Sequence, residues 1–224
     1  MAEIIPAIIP KNINDLKEKL EKVRRIARFI QIDVIDGKFA PRRGWPYGEG
    51  DKESFEKIIS EKEGLPFWED FDFEADLMIE KPEEAIDNFI KAGFTRLIIH
   101  IESTNNMEKI IYRARELGTS VCIAENIQTP IEELEKWIDQ VDGVQLMGVS
   151  RIGFQGEPFD EGVIPKIKYL RERHPDLIIS IDGGVSLQTA PRLISAGANR
   201  LVAGSAIFES EDIAGTIKDF KNLG

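Results

Sequence analysis

A closed (β/α)8 barrel, a TIM barrel, is the fold class this sequence predicts, and three observations predict it. Short runs rich in Ile, Val and Leu recur along the 224 residues, and a longer amphipathic segment follows each of them. Nearly every run is apolar on both faces, as the strands of a fully covered parallel sheet must be. Eight such pairs fit at the compact end of that fold's size range. A doubly wound open sheet competes, but it asks for a glycine-rich turn after the first strand, and Ile8 to Asn12 contains no glycine. A chain this long buries roughly 70 to 75% of the surface its unfolded form exposes, so one core suffices without a disulfide or structural metal. It reads as one domain over residues 1–224, with no low-complexity tract or linker.

The first strand is expected over Glu3 to Ile9 and its helix over Asn14 to Ala27. The second strand, Phe29 to Ile35, leads into the longest connection, Gly37 to Asp51, with four glycines, two prolines, Trp45 and Tyr47. A loop after a barrel strand faces the active-site end, so it reads either as a lid or specificity loop or as a plain surface excursion. The helix Lys52 to Lys62 and the strand Phe71 to Ile79 follow. Pro82 then opens, and Gly93 closes, a helix over Glu83 to Ala92. The strand Arg96 to Glu102 feeds the helix Asn105 to Leu117, stopped by Gly118. The strand Ser120 to Asn126 feeds Ile131 to Val141, opened by Pro130. The last three pairs are Gly143 to Ser150 with Gly162 to Arg173, Leu177 to Asp182 with Leu187 to Ala196, and Arg200 to Ile207 with Asp212 to Leu223.

Charge and cysteine content narrow the class of function. Lys and Arg number 29 against 40 Asp and Glu, a net charge of −11 that repels nucleic acid and anionic membranes. The basic runs Lys22 to Arg28 and Lys166 to Arg173 carry hydrophobics at helical spacing and read as solvated helix faces. The one cysteine, Cys122, lies in an apolar run and reads as a buried reduced thiol, which predicts a reducing compartment. No stretch approaches the length of a membrane span, and the start of the chain lacks a signal-peptide pattern. These observations predict a cytoplasmic protein with no nucleic-acid or membrane partner.

Chemistry in a barrel sits at the carboxyl ends of the strands. The polar residues that interrupt apolar runs there are Gln31, Asp33 and Asp36, then Asp76, His100, Glu102, Glu125, Asn126, Gln145, Asp182 and Ser205. The period of two points Gln31 and Asp33 into the barrel and Asp36 away from it. A buried aspartate is costly unless paired, hydrogen-bonded or metal-bound, so converging carboxylates predict function. Glycines form a second cluster: Gly153, Phe154, Gln155 and Gly156 after the sixth strand, Gly183 and Gly184 after the seventh, and Gly204 with Ser205 after the eighth. Backbone N–H groups at such positions approach phosphate oxygens closely, which predicts a phosphorylated small-molecule ligand.

Over nearly its whole length the chain resembles the ribulose-phosphate 3-epimerase family. The residues that carry the likeness are Asp33-Val34-Ile35-Asp36-Gly37-Lys38-Phe39-Ala40-Pro41, Leu77-Met78 with Pro82, His100-Ile101-Glu102, Gly153-Phe154-Gln155-Gly156, Ile181-Asp182-Gly183-Gly184-Val185, and Ala196-Gly197-Ala198 leading to Val202 through Phe208. The resemblance implies interconversion of D-ribulose 5-phosphate and D-xylulose 5-phosphate, part of the pentose phosphate pathway. It implies that Asp33 and Asp182 move the C3 proton and also ligate a divalent metal that stabilises the enediolate. It implies a substrate pocket at Ala7, Met78, His100 and Met147, a phosphate site over the glycine cluster, and a possible homo-oligomer.

The chain departs from the family where metal binds. The two ligand histidines fall on Gln31 and Asp76, so Gln31, Asp33, Asp76 and Asp182 offer only oxygens. That set favours Mg²⁺, Mn²⁺ or Ca²⁺ over Zn²⁺. The alternative is that no metal binds, and then the carboxylates should show raised pKa values, a Lys or Arg partner, or ordered water. Ala7 replaces a substrate-contacting serine, Ile35 a methionine and Gln155 a glycine, one residue is inserted near Arg151, and Arg42 and Arg43 stand in a loop that is usually neutral. The competing functions are a non-catalytic phosphosugar-binding barrel and an epimerase of a different sugar phosphate. A lyase of the related barrels ranks last, because Met78 occupies the position of its lysine.

Overall fold

The computed structural model describes residues 2–223, so Met1 and Gly224, the expected domain limits, lie outside the described residues. Eight parallel strands close a barrel in chain order, with the eighth paired back to the first. They are β1 (Glu3–Ile8), β2 (Phe29–Ile35), β3 (Asp72–Met78), β4 (Arg96–His100), β5 (Ser120–Glu125), β6 (Gly143–Met147), β7 (Ile179–Asp182) and β8 (Arg200–Ala203). The helices are α1 (Ile13–Val23), α2 (Lys52–Ile59), α3 (Ile86–Lys91), α4 (Met107–Glu116), α5 (Glu132–Glu135), α6 (Val163–Arg173), α7 (Ala190–Ala196), α8 (Ser205–Phe208) and α9 (Ile213–Lys221). The predicted (β/α)8 barrel is therefore the fold. No helix among the described residues is long and apolar enough to cross a membrane.

Local chemistry explains where several elements begin. Asn12 caps α1 by accepting from the Asp15 amide at 2.9 Å, and Asp212 caps α9 by accepting from Gly215 at the same distance. Most of the core lies outside the barrel, where outward strand residues such as Ile32, Val34, Leu77 and Leu97 meet Leu16 and Leu20 of α1 and Ile167 and Leu170 of α6. Each such side chain contributes about 1.5–3 kcal/mol on burial. Cys122 is buried inside the barrel with Ile98 and Ala124, and burial pushes its thiol up to about 12, so it is an inert packing group there.

Four expectations about element ends are corrected. The eighth strand stops at Ala203 instead of Ile207, because Gly204 leaves extended geometry and Ser205–Phe208 turns into α8. The fourth strand stops at His100, and Ile101–Ser103 is a 3-10 turn. The sixth strand ends at Met147 rather than Ser150. The helix expected over Ile131 to Val141 splits into α5 and a 3-10 turn, Ile138–Gln140, with only Leu134 and Ile138 buried to hold it.

The long connection after β2 is anchored. Trp45 is fully buried, its indole donates to Ser54 Oγ at 2.8 Å, and its amide donates to the Pro10 carbonyl at 2.9 Å. Asp36 binds the loop to its neighbours by accepting from the amides of Lys38, Phe39 and Glu80. The loop thus forms a fixed wall over the barrel mouth, with the Phe39 ring tilted by 54° to the His100 ring at 5.3 Å between centroids.

Candidate active site

Strand alternation delivers six polar side chains to the carboxyl end of the barrel interior. Gln31 and Asp33 come from β2, Asp76 from β3, His100 from β4, Gln145 from β6 and Asp182 from β7. Asp33 and Asp76 are direct register partners, so parallel pairing alone sets them side by side. Oxygens of Asp33, Asp76 and Asp182 all lie within 4.8 Å of one another.

The partners of these carboxylates are amides and an imidazole. Gln31 Nε2 donates to Asp33 Oδ1 at 2.8 Å and to Asp182 Oδ2 at 2.7 Å. Gln145 Nε2 donates to Asp76 Oδ2 at 3.1 Å and reaches Asp182 Oδ2 at 3.4 Å. His100 Nε2 lies 3.1 Å from Asp76 Oδ1. No Lys or Arg among the described residues forms an ion pair with any of the three aspartates.

Like charge in a dry site has the expected electrostatic result. Burial, then the charges of Asp182 and Asp76, hold the Asp33 carboxyl well above the usual carboxylate range. Burial, then Asp76, push Asp182 up to about 7, against the opposing pull of Gln31 and His100. Burial alone would depress the His100 imidazolium, but Asp76 outweighs it and raises the group above its ordinary value. Of the signs expected of a site without metal, the raised carboxyls are present, and a Lys or Arg ion-pair partner is absent among the described residues.

The donor set fits a divalent cation. Three carboxylates converge without a cationic side chain between them, and Gln31 Oε1 is buried beside them with no hydrogen-bond partner among the described residues. An uncompensated group of this kind is costly in a protein interior and is offset by a positive ion.

A narrow cleft of ≈ 50 Å³ runs from Asp33 and Asp182 toward the glycine loops. Ala7, Phe154, Gln155, Gly156, Gly183, Gly184, Gly204 and Ser205 line it. Gly183 and Gly184 have φ of +91° and +66°, and a Cβ on Gly184 would stand 2.7 Å from the Phe159 backbone, so only glycine fits. Gly153 sits beside the cleft instead, against Ala40 and Ile35. Met78 is buried with Ile35 and Ala40, and Met147 is buried in register with Asp182.

Two residues of this end were not in the expected site. Gln145 stood out only as a polar interruption of β6, and nothing in the chain marked it as reaching two aspartates at once. Glu157 lines the cleft, 3.7 Å from Arg151, so a carboxylate faces the place where an anionic group is expected. Its neighbour Gln155 spans the cleft, donating to the Ala7 carbonyl at 3.2 Å. Of the two loop arginines, Arg43 donates to the Asp36 carbonyl, while Arg42 and Arg151 stack on the Phe154 ring at 4.3 and 4.5 Å.

Known proteins with this architecture and sequence place the chain. A solved 3-hexulose-6-phosphate synthase from Salmonella typhimurium superposes with a TM-score of 0.73 over 99% of this chain and 97% of its own, at 17% identity, a likeness of fold. The ribulose-phosphate 3-epimerase of Bacillus subtilis (strain 168) is 33% identical over 99% of both chains. The chloroplastic ribulose-5-phosphate-3-epimerase of Arabidopsis thaliana is 33% identical over 97% of this chain and 75% of its own. With residues 3–208 also matching the model of the ribulose-phosphate 3 epimerase family, the chain belongs to that family.

Proposed function

We propose that the protein interconverts D-ribulose 5-phosphate and D-xylulose 5-phosphate, with Asp33 and Asp182 as the proton-transferring pair. The observation that carries this reading is the raised carboxyl of each, brought to one amide, Gln31 Nε2, from strands on opposite sides of the numbering. A carboxylate whose pKa is raised above its ordinary range is a stronger base toward a carbon-bound proton, and its acid form persists to return one. Asp33 removes the proton at C3 as the C2 carbonyl takes up the electron pair. Asp182, in its acid form, delivers a proton to the other face of C3. In the reverse direction the roles exchange.

Asp33, Asp76, Asp182 and the Gln31 carbonyl would hold a divalent cation, which supplies Lewis-acid stabilisation to the negative charge that develops on the sugar oxygens. The all-oxygen donors favour Mg²⁺, Mn²⁺ or Ca²⁺ over Zn²⁺. His100 holds Asp76 in place, and the half-buried Phe39 with the buried Met78 and Met147 excludes water from the reacting carbon. The phosphate of the sugar is bound along Gly183, Gly184, Gly204 and Ser205.

A second reading, an epimerase of a different sugar phosphate, is favoured by Gln155 and Glu157 in the cleft. One experiment separates them. Metal-stripped protein is assayed for conversion of ribulose 5-phosphate after refilling with Mg²⁺, Mn²⁺, Fe²⁺ or Zn²⁺, beside Asp33→Asn and Asp182→Asn. Activity with a hard metal and a loss of about 10²–10⁴-fold in each variant is the expected result. Inactivity with every metal, together with tight binding of another sugar phosphate, turns the assignment to the second reading.

A further inference from the structure

We propose that Gln145 is itself an oxygen ligand of the divalent cation, a fifth protein ligand beside Gln31, Asp33, Asp76 and Asp182. This rests on the metal reading of the carboxylate cluster and adds a residue to it.

Gln145 is fully buried, and its amide is held by the cluster alone. Nε2 lies 3.1 Å from Asp76 Oδ2 and 3.4 Å from Asp182 Oδ2, while Oε1 has no hydrogen-bond partner among the described residues. Gln31 repeats the arrangement on the other side of Asp182 Oδ2, again with its oxygen unpartnered. The polar atoms therefore run in an arc, Asp33 Oδ1, Gln31, Asp182 Oδ2, Gln145, Asp76 Oδ2.

Oxygens bound at about 2.1–2.4 Å to one hard cation in near-octahedral geometry stand roughly 3.0–3.4 Å apart. The two spacings of Gln145 fall in that range. A primary amide presents either its NH2 or its oxygen to the same point after a half-turn about its terminal torsion. Three carboxylates alone attract the NH2 edge. A divalent charge among them reverses the local potential, and the oxygen edge is then the favoured one. Oε1 has no hydrogen bond to break, so only the two contacts to the aspartates oppose the turn.

If Gln145 is only a donor that screens the carboxylates, removing it should help a cation, because a competing N–H is lost. If it is a ligand, removing it should hurt. The sign of one measurement therefore decides.

The test is Mn²⁺ titration of metal-stripped wild type and Gln145→Met, read by the electron paramagnetic resonance signal of free Mn²⁺. Water-proton relaxation of the loaded proteins then counts the waters on the ion. The expected result is Mn²⁺ binding weakened by about tenfold or more in Gln145→Met, with one additional bound water. Equal or tighter binding with an unchanged water count overturns the inference and leaves the metal reading standing. Failure of wild type to bind Mn²⁺ overturns both. Should Gln145→Met lose its circular dichroism signal, Gln145→Asn replaces it, because its amide is one methylene too short to reach the ion and the same two readings apply.

Discussion

The two ends of the barrel interior solve the same electrostatic problem in opposite ways. At the amino end of the strands, Glu74 is buried and is met by Arg200 at 2.9 Å and Arg96 at 3.2 Å, with Glu3 on Arg200 at 2.8 Å. Every acid there has a guanidinium. At the carboxyl end, Asp33, Asp76 and Asp182 have amides and an imidazole, and two of the three carboxyls are raised far from their ordinary values. The first arrangement pairs its charges within the fold, though Glu74 Oε1 and Arg96 Nε have no hydrogen-bond partner among the described residues, and it serves as a plug. The second is complete only with something added, which is what distinguishes a site from a strut.

The comparison is broken most severely from below. Arg200→Met leaves Glu74 in the interior with Arg96 as its remaining cation, and removal of one partner of a buried pair costs about 3–5 kcal/mol. Urea unfolding of the metal-free protein measures it. The double variant Arg200→Met with Glu74→Met should recover most of the loss, since no charge is then stranded. A loss below about 1 kcal/mol for the single variant would mean that the amino end is not the closed circuit described.

Removing a charge at the other end should have the reverse sign. Burial and the Asp76 charge push Asp182 up to about 7, so the unfolded chain gives up this proton first as pH rises. The stability tied to the bound proton is fully present below about pH 4 and is lost as pH rises through about 7. Metal-free Asp182→Asn should therefore gain on wild type by roughly 2–3 kcal/mol between pH 5 and pH 8, somewhat more than half of what the full shift represents. Saturating Mn²⁺ should abolish that advantage. A difference between the two proteins that stays flat with pH would show that Asp182 is ionised throughout.

The barrel itself was legible because its signal is periodic and repeated: each two-faced apolar strand and each helix after it is written locally. The convergence of Asp33 and Asp182 was legible from their places at strand ends. Other features depend on distance across the barrel. Gln145 reads as a single polar residue in an apolar strand, and only closure of the sheet sets its amide between Asp76 and Asp182. Most of α8 reads as strand because Ala206 and Ile207 extend the apolar run of β8, and its helical turn comes from the break at Gly204 and contact with α9. The loop after β2 reads in sequence as a lid or specificity loop or as a plain surface excursion, and only the tertiary contacts of Trp45 show that it is tied to Ser54 and Pro10.

Glu157 lies between the two extremes and sharpens the comparison. It is an acid facing the cleft, as the aspartates are, yet it has a guanidinium, as Glu74 does, though Arg151 stands 3.7 Å away and is mostly exposed. A pair of that kind is worth little in stability, so Glu157→Gln should leave the unfolding midpoint nearly unchanged. Its effect should appear on the ligand. With the carboxylate gone, Arg151 is released and one like charge is removed from the cleft, so inorganic phosphate should inhibit or bind about three- to tenfold more tightly at low salt. The gain should shrink as ionic strength rises. Unchanged phosphate affinity would place the anion farther along the cleft, nearer Gly204 and Ser205, and would make Glu157 a partner of Arg151 alone.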